Sequence, residues 1–153
     1  MRIAEFLQPS AVLPSLTATT KPDVLRELAV GLSLVVPQIT AARFQAVLEE
    51  RERQQSTGME KGVAIPHARL VELSSLVACF AVSRQGVDFE ALDGRPSHYF
   101  FALVAPENSA GLHLKALSRL SRLFRSDQLK DSILAAPDAQ AVHTLLLQED
   151  GKA

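Results

Sequence analysis

Two apolar runs decide the fold of this chain, LVACFAV at residues 76–82 and YFFALVA at residues 99–105. Each run is seven residues long and contains no charged side chain. Unbroken apolarity over this length is typical of strands that are covered on both faces, because a half-exposed strand alternates polar and apolar residues. We therefore predict that both runs lie at the centre of a β-sheet. A shorter apolar run, Val63–Ile65, predicts a short strand or strand-like turn that ends at Pro66.

Helical patterns lie on both sides of these predicted strands. Thr20 and Thr40 precede two segments with apolar residues at helical spacing, and Ser109 or Asn108 precedes a third. Further helix starts are predicted at Ser126 or Asp127 and at Pro137 and Asp138. Interleaved helices and strands predict an α/β fold in a single domain, with a small, mixed, mostly parallel β-sheet of about five strands flanked by helices on both faces. We expect this domain to span residues 1–148, followed by a polar C-terminal tail at 149–153.

Composition narrows the functional classes. The chain has 153 residues, 47% of them hydrophobic and 22% charged, with a formal net charge of -1. The charge gives no long-range attraction to nucleic acid or to anionic lipid, and no apolar run is long enough to cross a bilayer. We therefore expect a cytoplasmic protein that binds no nucleic acid and does not insert into a membrane. The single cysteine, Cys79, lies in an apolar run and is interpreted as a core residue.

Three residues interrupt the apolar patterns. Arg51 occupies the next position on the stripe formed by Phe44, Val47 and Leu48. His113 lies four residues before Leu117 on the core-facing line of a later helix, in its first turn, where the helix dipole favours a neutral imidazole. His67 follows the apolar run that ends at Pro66. An anion site formed by these three is one reading, and a solvated arginine with two structural histidines is the other.

The segment joining two of these residues resembles a known signature. Residues 51–68, RERQQSTGMEKGVAIPHA, are similar to the motif of enzyme IIA type 2 domains of the phosphotransferase system, the fructose, mannitol and nitrogen-regulatory kind. The residues in register are Arg51, Glu52, Ser56, Thr57, Gly58, Gly62, Ala64, Pro66 and His67. A second segment, His113–Ser118, resembles the H-L-x-x-L-S helix start of the same family.

The resemblance implies a phosphorelay protein. It implies that His67 accepts a phosphoryl group through Nε2, that His113 and Arg51 line the same pocket, and that no cofactor or metal takes part. The hydroxyls of Ser56 and Thr57 are further candidate donors to the phosphoryl oxygens. The implied donor is a histidine phosphocarrier protein, and the implied acceptors are regulatory target proteins or an enzyme IIB.

Two departures from the motif leave alternatives open. Glu60 stands where a second glycine is common, and Ala68 replaces a glycine after the histidine. The absence of fused transport domains in 153 residues favours a nitrogen-regulatory role. A sugar-specific transport subunit is the alternative, and so is a binding module that has kept the fold without the chemistry. Lys115, Arg119 and Arg122 form a basic stripe that is either solvated surface or a docking rim.

Overall fold

The computed structural model describes residues 1–152, and its centre is the predicted strand pair. Strand β4, Val77–Val87, pairs antiparallel with β5, Ser97–Pro106. Every residue from Val77 to Ser83 and from Tyr99 to Pro106 is buried, so both faces of the pair are covered. The absence of charge from these runs follows from that environment, because an unpaired charge in such a strand would lose its hydration.

In the described part of the chain, three short strands complete the sheet. Strand β1, Val12–Leu13, runs parallel to β4. Strands β2, Val63–Ala64, and β3, His67–Leu70, both run parallel to β5. The sheet is therefore mixed and mostly parallel, with the strand order β1-β4-β5-β2 and with β3 also on β5. The prediction of a single α/β domain with about five strands is confirmed.

Within residues 1–152, five α-helices surround the sheet. Their bounds are α1 Lys21–Val35, α2 Ala41–Gln54, α3 Ala110–Leu123, α4 Asp127–Ala135 and α5 Ala139–Gly151. Side-chain oxygens of Thr20, Thr40, Ser126 and Asp138 accept backbone N–H groups of the first turns, which stabilises four of the helix starts. Two short 3-10 helices, Ile3–Glu5 and Pro9–Ala11, precede β1. The helix starts predicted from the sequence agree with these bounds.

The core lies between the sheet and the helices. Its largest fully buried side chains include Phe44, Phe80, Phe100 and Phe101, each worth about 1.5–3 kcal/mol of burial. Cys79 is fully buried, as predicted, and burial raises the pKa of its thiol to about 12, so it is unreactive at neutral pH.

The predicted polar tail is wrong for residues 149–151. Helix α5 continues to Gly151, and Asp150 is only 2% exposed. The Asp150 carboxylate accepts the backbone N–H of Ile3 at 2.7 Å and forms an ion pair with Arg119. Asp150 therefore connects α5 with α3 and with the 3-10 helix that contains Ile3. The last residue of the predicted tail, Ala153, lies outside the described residues.

Candidate functional site

His67 is the first residue of β3. Strands β2 and β3 lie along β5 in one continuous register, in which Val63 pairs with Tyr99 and His67 pairs with Leu103. Pro66 separates the two strands because it has no N–H for the ladder, although its carbonyl accepts the N–H of Leu103 at 2.9 Å. The histidine therefore emerges at a fixed position on the sheet and not on a loose loop.

One ring nitrogen of His67 is fixed by the backbone. Nδ1 lies 2.7 Å from the carbonyl oxygen of Ile65. Since a carbonyl can only accept, Nδ1 carries the proton and the lone pair of the neutral ring lies on Nε2. Burial lowers the pKa of His67 below its ordinary value, the bond to Ile65 opposes that shift, and the Arg51 guanidinium lowers the pKa further. The ring is therefore neutral and nucleophilic at Nε2 near pH 7.

His113 lies directly opposite, in the first turn of α3. The two imidazole rings meet edge to face, with centroids 5.3 Å apart and planes at 78°. His113 is 9% exposed, and burial lowers its pKa to about 4, with further lowering by His67, Arg69 and Arg51. Its Nε2 is buried and has no hydrogen-bond partner among residues 1–152. A buried polar nitrogen in this condition is suited to a ligand that supplies the partner.

Arg51 reaches the same site from the last turn of α2. Its Nη1 donates to the carbonyl of Gln55 at 2.8 Å, which caps the end of the helix and fixes the guanidinium. The side chain lines the cleft that also contains His67 and His113. The three residues singled out in the sequence are thus brought together.

The cleft has a volume of about 670 Å³. It is also lined by Arg69, a cation that was not predicted from the sequence. Arg69 lies two residues after His67 on β3, is exposed, and has no ion-pair partner among the described residues. Residues i and i+2 of a strand share a face, so recognition of β3 would have placed Arg69 beside His67. Arg43 also lines the cleft, but Glu72 binds its guanidinium at 2.8 Å.

Ser56 and Thr57 lie elsewhere. The Ser56 hydroxyl donates to the Phe89 carbonyl at 2.8 Å, and the Thr57 hydroxyl donates to Glu52 at 2.7 Å. Neither residue lines the cleft. The expected donation from these hydroxyls to a phosphoryl group therefore finds no support in this geometry, because both protons already have buried acceptors.

The histidines His98 and His143 and the polar residues Glu60 and Arg119 lie outside the cleft. His98 and His143 are bonded to the carbonyls of Ser83 at 2.8 Å and Leu7 at 3.0 Å. Glu60 is exposed. Within the basic stripe of α3, Arg119 is held by Asp150 and is not available to a partner.

Two further features bear on the class of site. In the part of the chain that the structure describes, no cluster of three or more His, Cys, Asp or Glu side chains is arranged to hold a metal ion. None of the helices within residues 1–152 has the length and apolar character needed to span a membrane.

Comparison with known proteins gives a consistent result. Residues 5–149 match the sequence profile of the family described as "Phosphoenolpyruvate-dependent sugar phosphotransferase system, EIIA 2". The chain is 38% identical over 146 residues to a "Nitrogen regulatory protein" of Bradyrhizobium diazoefficiens, covering 95% of each chain. It is 32% identical over 150 residues to a "PTS system fructose-specific EIIABC component" of Bacillus subtilis, of which it spans 24%.

A solved structure shares the fold closely. The crystal structure of the nitrogen regulatory protein IIA-Ntr from Neisseria meningitidis superposes with a TM-score of 0.87 at 31% identity, covering 94% of this chain and 98% of that one. The architecture described above is therefore that of the IIA-Ntr fold.

Proposed function

We propose that this chain, which belongs to the EIIA 2 family of the phosphoenolpyruvate-dependent sugar phosphotransferase system, carries a phosphoryl group on Nε2 of His67. The observation that carries the proposal is the bond from His67 Nδ1 to the Ile65 carbonyl, which leaves Nε2 as the only ring nitrogen with a lone pair. The donor is a histidine phosphocarrier protein, and such a relay would operate in the cytoplasm.

The transfer step needs an aligned nucleophile and charge stabilisation, but no cofactor. The Nε2 lone pair of His67 attacks the phosphorus of the donor's phosphohistidine, a new P–N bond forms, and the donor's P–N bond breaks. The donor nitrogen keeps that electron pair, and the proton on Nδ1 of His67 stays in its bond to Ile65. The phosphorus remains a phosphoryl group throughout, so no oxidant or reductant is required.

The groups around the cleft are suited to stabilising the negative charge of the transferred phosphoryl group. A phosphoryl group carries its negative charge on three oxygens, and catalysis of its transfer depends on positioning and on cationic or N–H donors. Arg51 and Arg69 supply guanidinium groups, and Nε2 of His113 is a buried nitrogen without a partner in residues 1–152. A phosphoryl oxygen held between the two imidazoles would give His113 the acceptor that it lacks.

A regulatory role has the stronger support. The match to the Bradyrhizobium nitrogen regulatory protein extends over 95% of both chains, and the Neisseria IIA-Ntr structure is covered to 98%. We therefore propose that regulatory target proteins sense whether His67 is phosphorylated. Transfer to an enzyme IIB during sugar uptake is the second candidate, since the chain is 32% identical to part of a fructose-specific component.

A reconstituted relay tests the proposal. Purified protein is incubated with phosphoenolpyruvate, enzyme I and a histidine phosphocarrier, and the bound phosphate is measured by mass after acid or base treatment. We expect one acid-labile, base-stable phosphate on the natural chain and none on His67→Ala, with His143→Ala as the matched control that still accepts phosphate. A natural chain that takes no phosphate would leave only the binding-module alternative.

A further inference from the structure

Glu52 is a buried carboxylate beside the site that the transfer mechanism does not use. It follows Arg51 in the last turn of α2, but it is only 8% exposed. Burial of a carboxylate is costly unless the charge is compensated and both oxygens accept hydrogen bonds. Lys21 Nζ lies 3.0 Å from Glu52 Oε1 and supplies the compensating charge.

The carboxylate holds one residue of the following segment at two points. Oε1 accepts the backbone N–H of Thr57 at 2.7 Å, and Oε2 accepts the Thr57 hydroxyl at 2.7 Å. Two short, charge-assisted bonds to one residue fix both its position and its orientation. Thr57 is 6% exposed, so water cannot readily replace either bond.

From Thr57 the hydrogen bonds continue to the reactive histidine. The Thr57 carbonyl accepts the N–H of Ile65 at 3.1 Å, and the Ile65 carbonyl accepts Nδ1–H of His67 at 2.7 Å. Gly58 and Ala64 form an antiparallel bridge between these two points. The Ile65 carbonyl, which determines the tautomer of His67, therefore belongs to a residue that is paired with Thr57. Glu52 holds Thr57 on the other side of this pair.

The paired backbone segments around Gly58 and Ala64 have little room to shift. A Cβ added at Gly58 would lie 2.8 Å from the Ala91 Cα and 2.9 Å from the Phe89 carbonyl oxygen, so the backbone is in close contact with that loop. Ser56 is bonded to the same Phe89 carbonyl at 2.8 Å. Loss of the Glu52 bonds would thus be transmitted along the segment to Ile65, because the loop at Phe89 blocks displacement on that side.

We propose that Glu52 is a positioning residue that fixes the tautomer of His67 through Thr57 and Ile65. The inference rests on the proposed function of His67 for its consequence, since only the tautomer with a free Nε2 lone pair can attack phosphorus at that atom. The tautomer itself is a property of the unphosphorylated protein and can be measured without the relay.

The experiment compares three variants with the natural chain. Glu52→Ala removes both bonds to Thr57. Glu52→Gln removes the charge but keeps both hydrogen bonds to Thr57, because its amide oxygen can accept the Thr57 N–H and its amide nitrogen can donate to the hydroxyl. Thr57→Val removes one of the two bonds at nearly constant volume. The readouts are the ring nitrogen NMR signals of His67 and the rate of phosphate acceptance, with thermal unfolding as the check on folding.

His143 serves as an internal standard for the NMR readout. Its Nε2 donates to the Leu7 carbonyl, so the proton lies on Nε2 and not on Nδ1 as in His67. His143 is also far along the chain from Glu52 and Thr57. In Glu52→Ala we expect the His67 signals to move toward a mixture of tautomers while the His143 signals stay in place. We expect phosphate acceptance to fall by about 10- to 100-fold, as found for partners that orient histidines in metal sites.

The other variants separate the causes. Glu52→Gln should keep the His67 tautomer and most of the rate, and Thr57→Val should move the signals part of the way. An unchanged His67 tautomer in both Glu52→Ala and Thr57→Val would overturn the proposal, and if Glu52→Ala does not fold, Thr57→Val alone decides. Failure of the proposed function is distinct, because the natural chain would then take no phosphate whatever the tautomer.

Discussion

The imidazole rings of His67 and His113 face each other across 5.3 Å, although 46 positions of the chain separate them (113 − 67). The first ring projects from the start of β3 and the second from the first turn of α3, and both elements lie against β5. The strand fixes one ring and the helix the other, so the distance between them is a property of the fold. This pair, together with Arg51, defines the site in which the proposed chemistry takes place.

Arg51→Ala should slow phosphate acceptance by about 100-fold, because removal of a comparable charge-stabilising donor costs that much in other sites. The rate is measured by quenched-flow transfer from the phosphorylated carrier. Arg51→Lys keeps the charge but loses the planar fork, so we expect an intermediate rate. Near-natural rates in Arg51→Ala would remove this residue from the mechanism.

Arg69→Ala should reduce the transfer rate by about 2- to 5-fold at low salt, with the difference disappearing as salt rises, since an exposed cation acts through screened attraction. Arg95→Ala is the matched control. Arg95 is also exposed and lies before the start of β5, whereas His67 pairs with Leu103, so roughly 20 Å of strand separates the two. An equal effect in both variants would show that only net charge matters.

Phosphate acceptance should persist to a lower pH than an ordinary histidine would allow, because burial lowers the pKa of His67 and favours its neutral ring. The midpoint of the His67 ring nitrogen signals, followed by NMR titration, should lie below the ordinary histidine value of about 6.5. A midpoint at or above that value would contradict the lowered pKa.

The stability of the fold should also depend on His113. Its pKa is about 4 in the folded protein and about 6.5 when unfolded, so between these values the unfolded chain binds the additional proton. Stability is therefore lost as pH falls from 6.5 toward 4. Urea unfolding at pH 7 and pH 5 should show a larger loss for the natural chain than for His113→Gln, by on the order of 1 kcal/mol. Equal losses would argue against a neutral, buried His113.

Asp150→Ala should lower the free energy of unfolding by about 3–5 kcal/mol, because it leaves the N–H of Ile3 and the Arg119 guanidinium without their buried acceptor. Glu149→Ala is the control. Within residues 1–152, Glu149 pairs only with the exposed Lys152, and such a pair is worth about 0–1 kcal/mol. Urea unfolding that gives the same small change for both would restore the interpretation of this region as a tail.

The parts of the fold that the sequence predicted are those with strong local signals. Residues 76–82 and 99–105 were recognisable because burial on both faces excludes charge, and the helices because of their caps and apolar spacing. Strand β3, His67–Leu70, gave no such signal, since it is short and includes an exposed Arg69. Its partner β5 lies far along the chain, and a local sequence pattern does not indicate pairing between distant segments.

The site followed the same rule. Arg51 and His113 were found because each interrupts a helical apolar stripe, and His67 because of the motif around it. The expected phosphoryl contacts of the Ser56 and Thr57 hydroxyls find no support in the fold, because the folded chain brings Phe89 and Glu52 within reach as acceptors. Asp150 was missed for the same reason, since its partners Ile3 and Arg119 are distant in sequence.

The proposed relay requires that Nε2 of His67 carries the phosphoryl group, because Nδ1 is occupied by its bond to Ile65. The most direct test is to phosphorylate nitrogen-15-labelled protein through the carrier and to measure the phosphorus–nitrogen coupling on the His67 ring by NMR. We expect a coupling at Nε2, with Nδ1 still protonated. A coupling at Nδ1, or phosphate on a different residue, would contradict it.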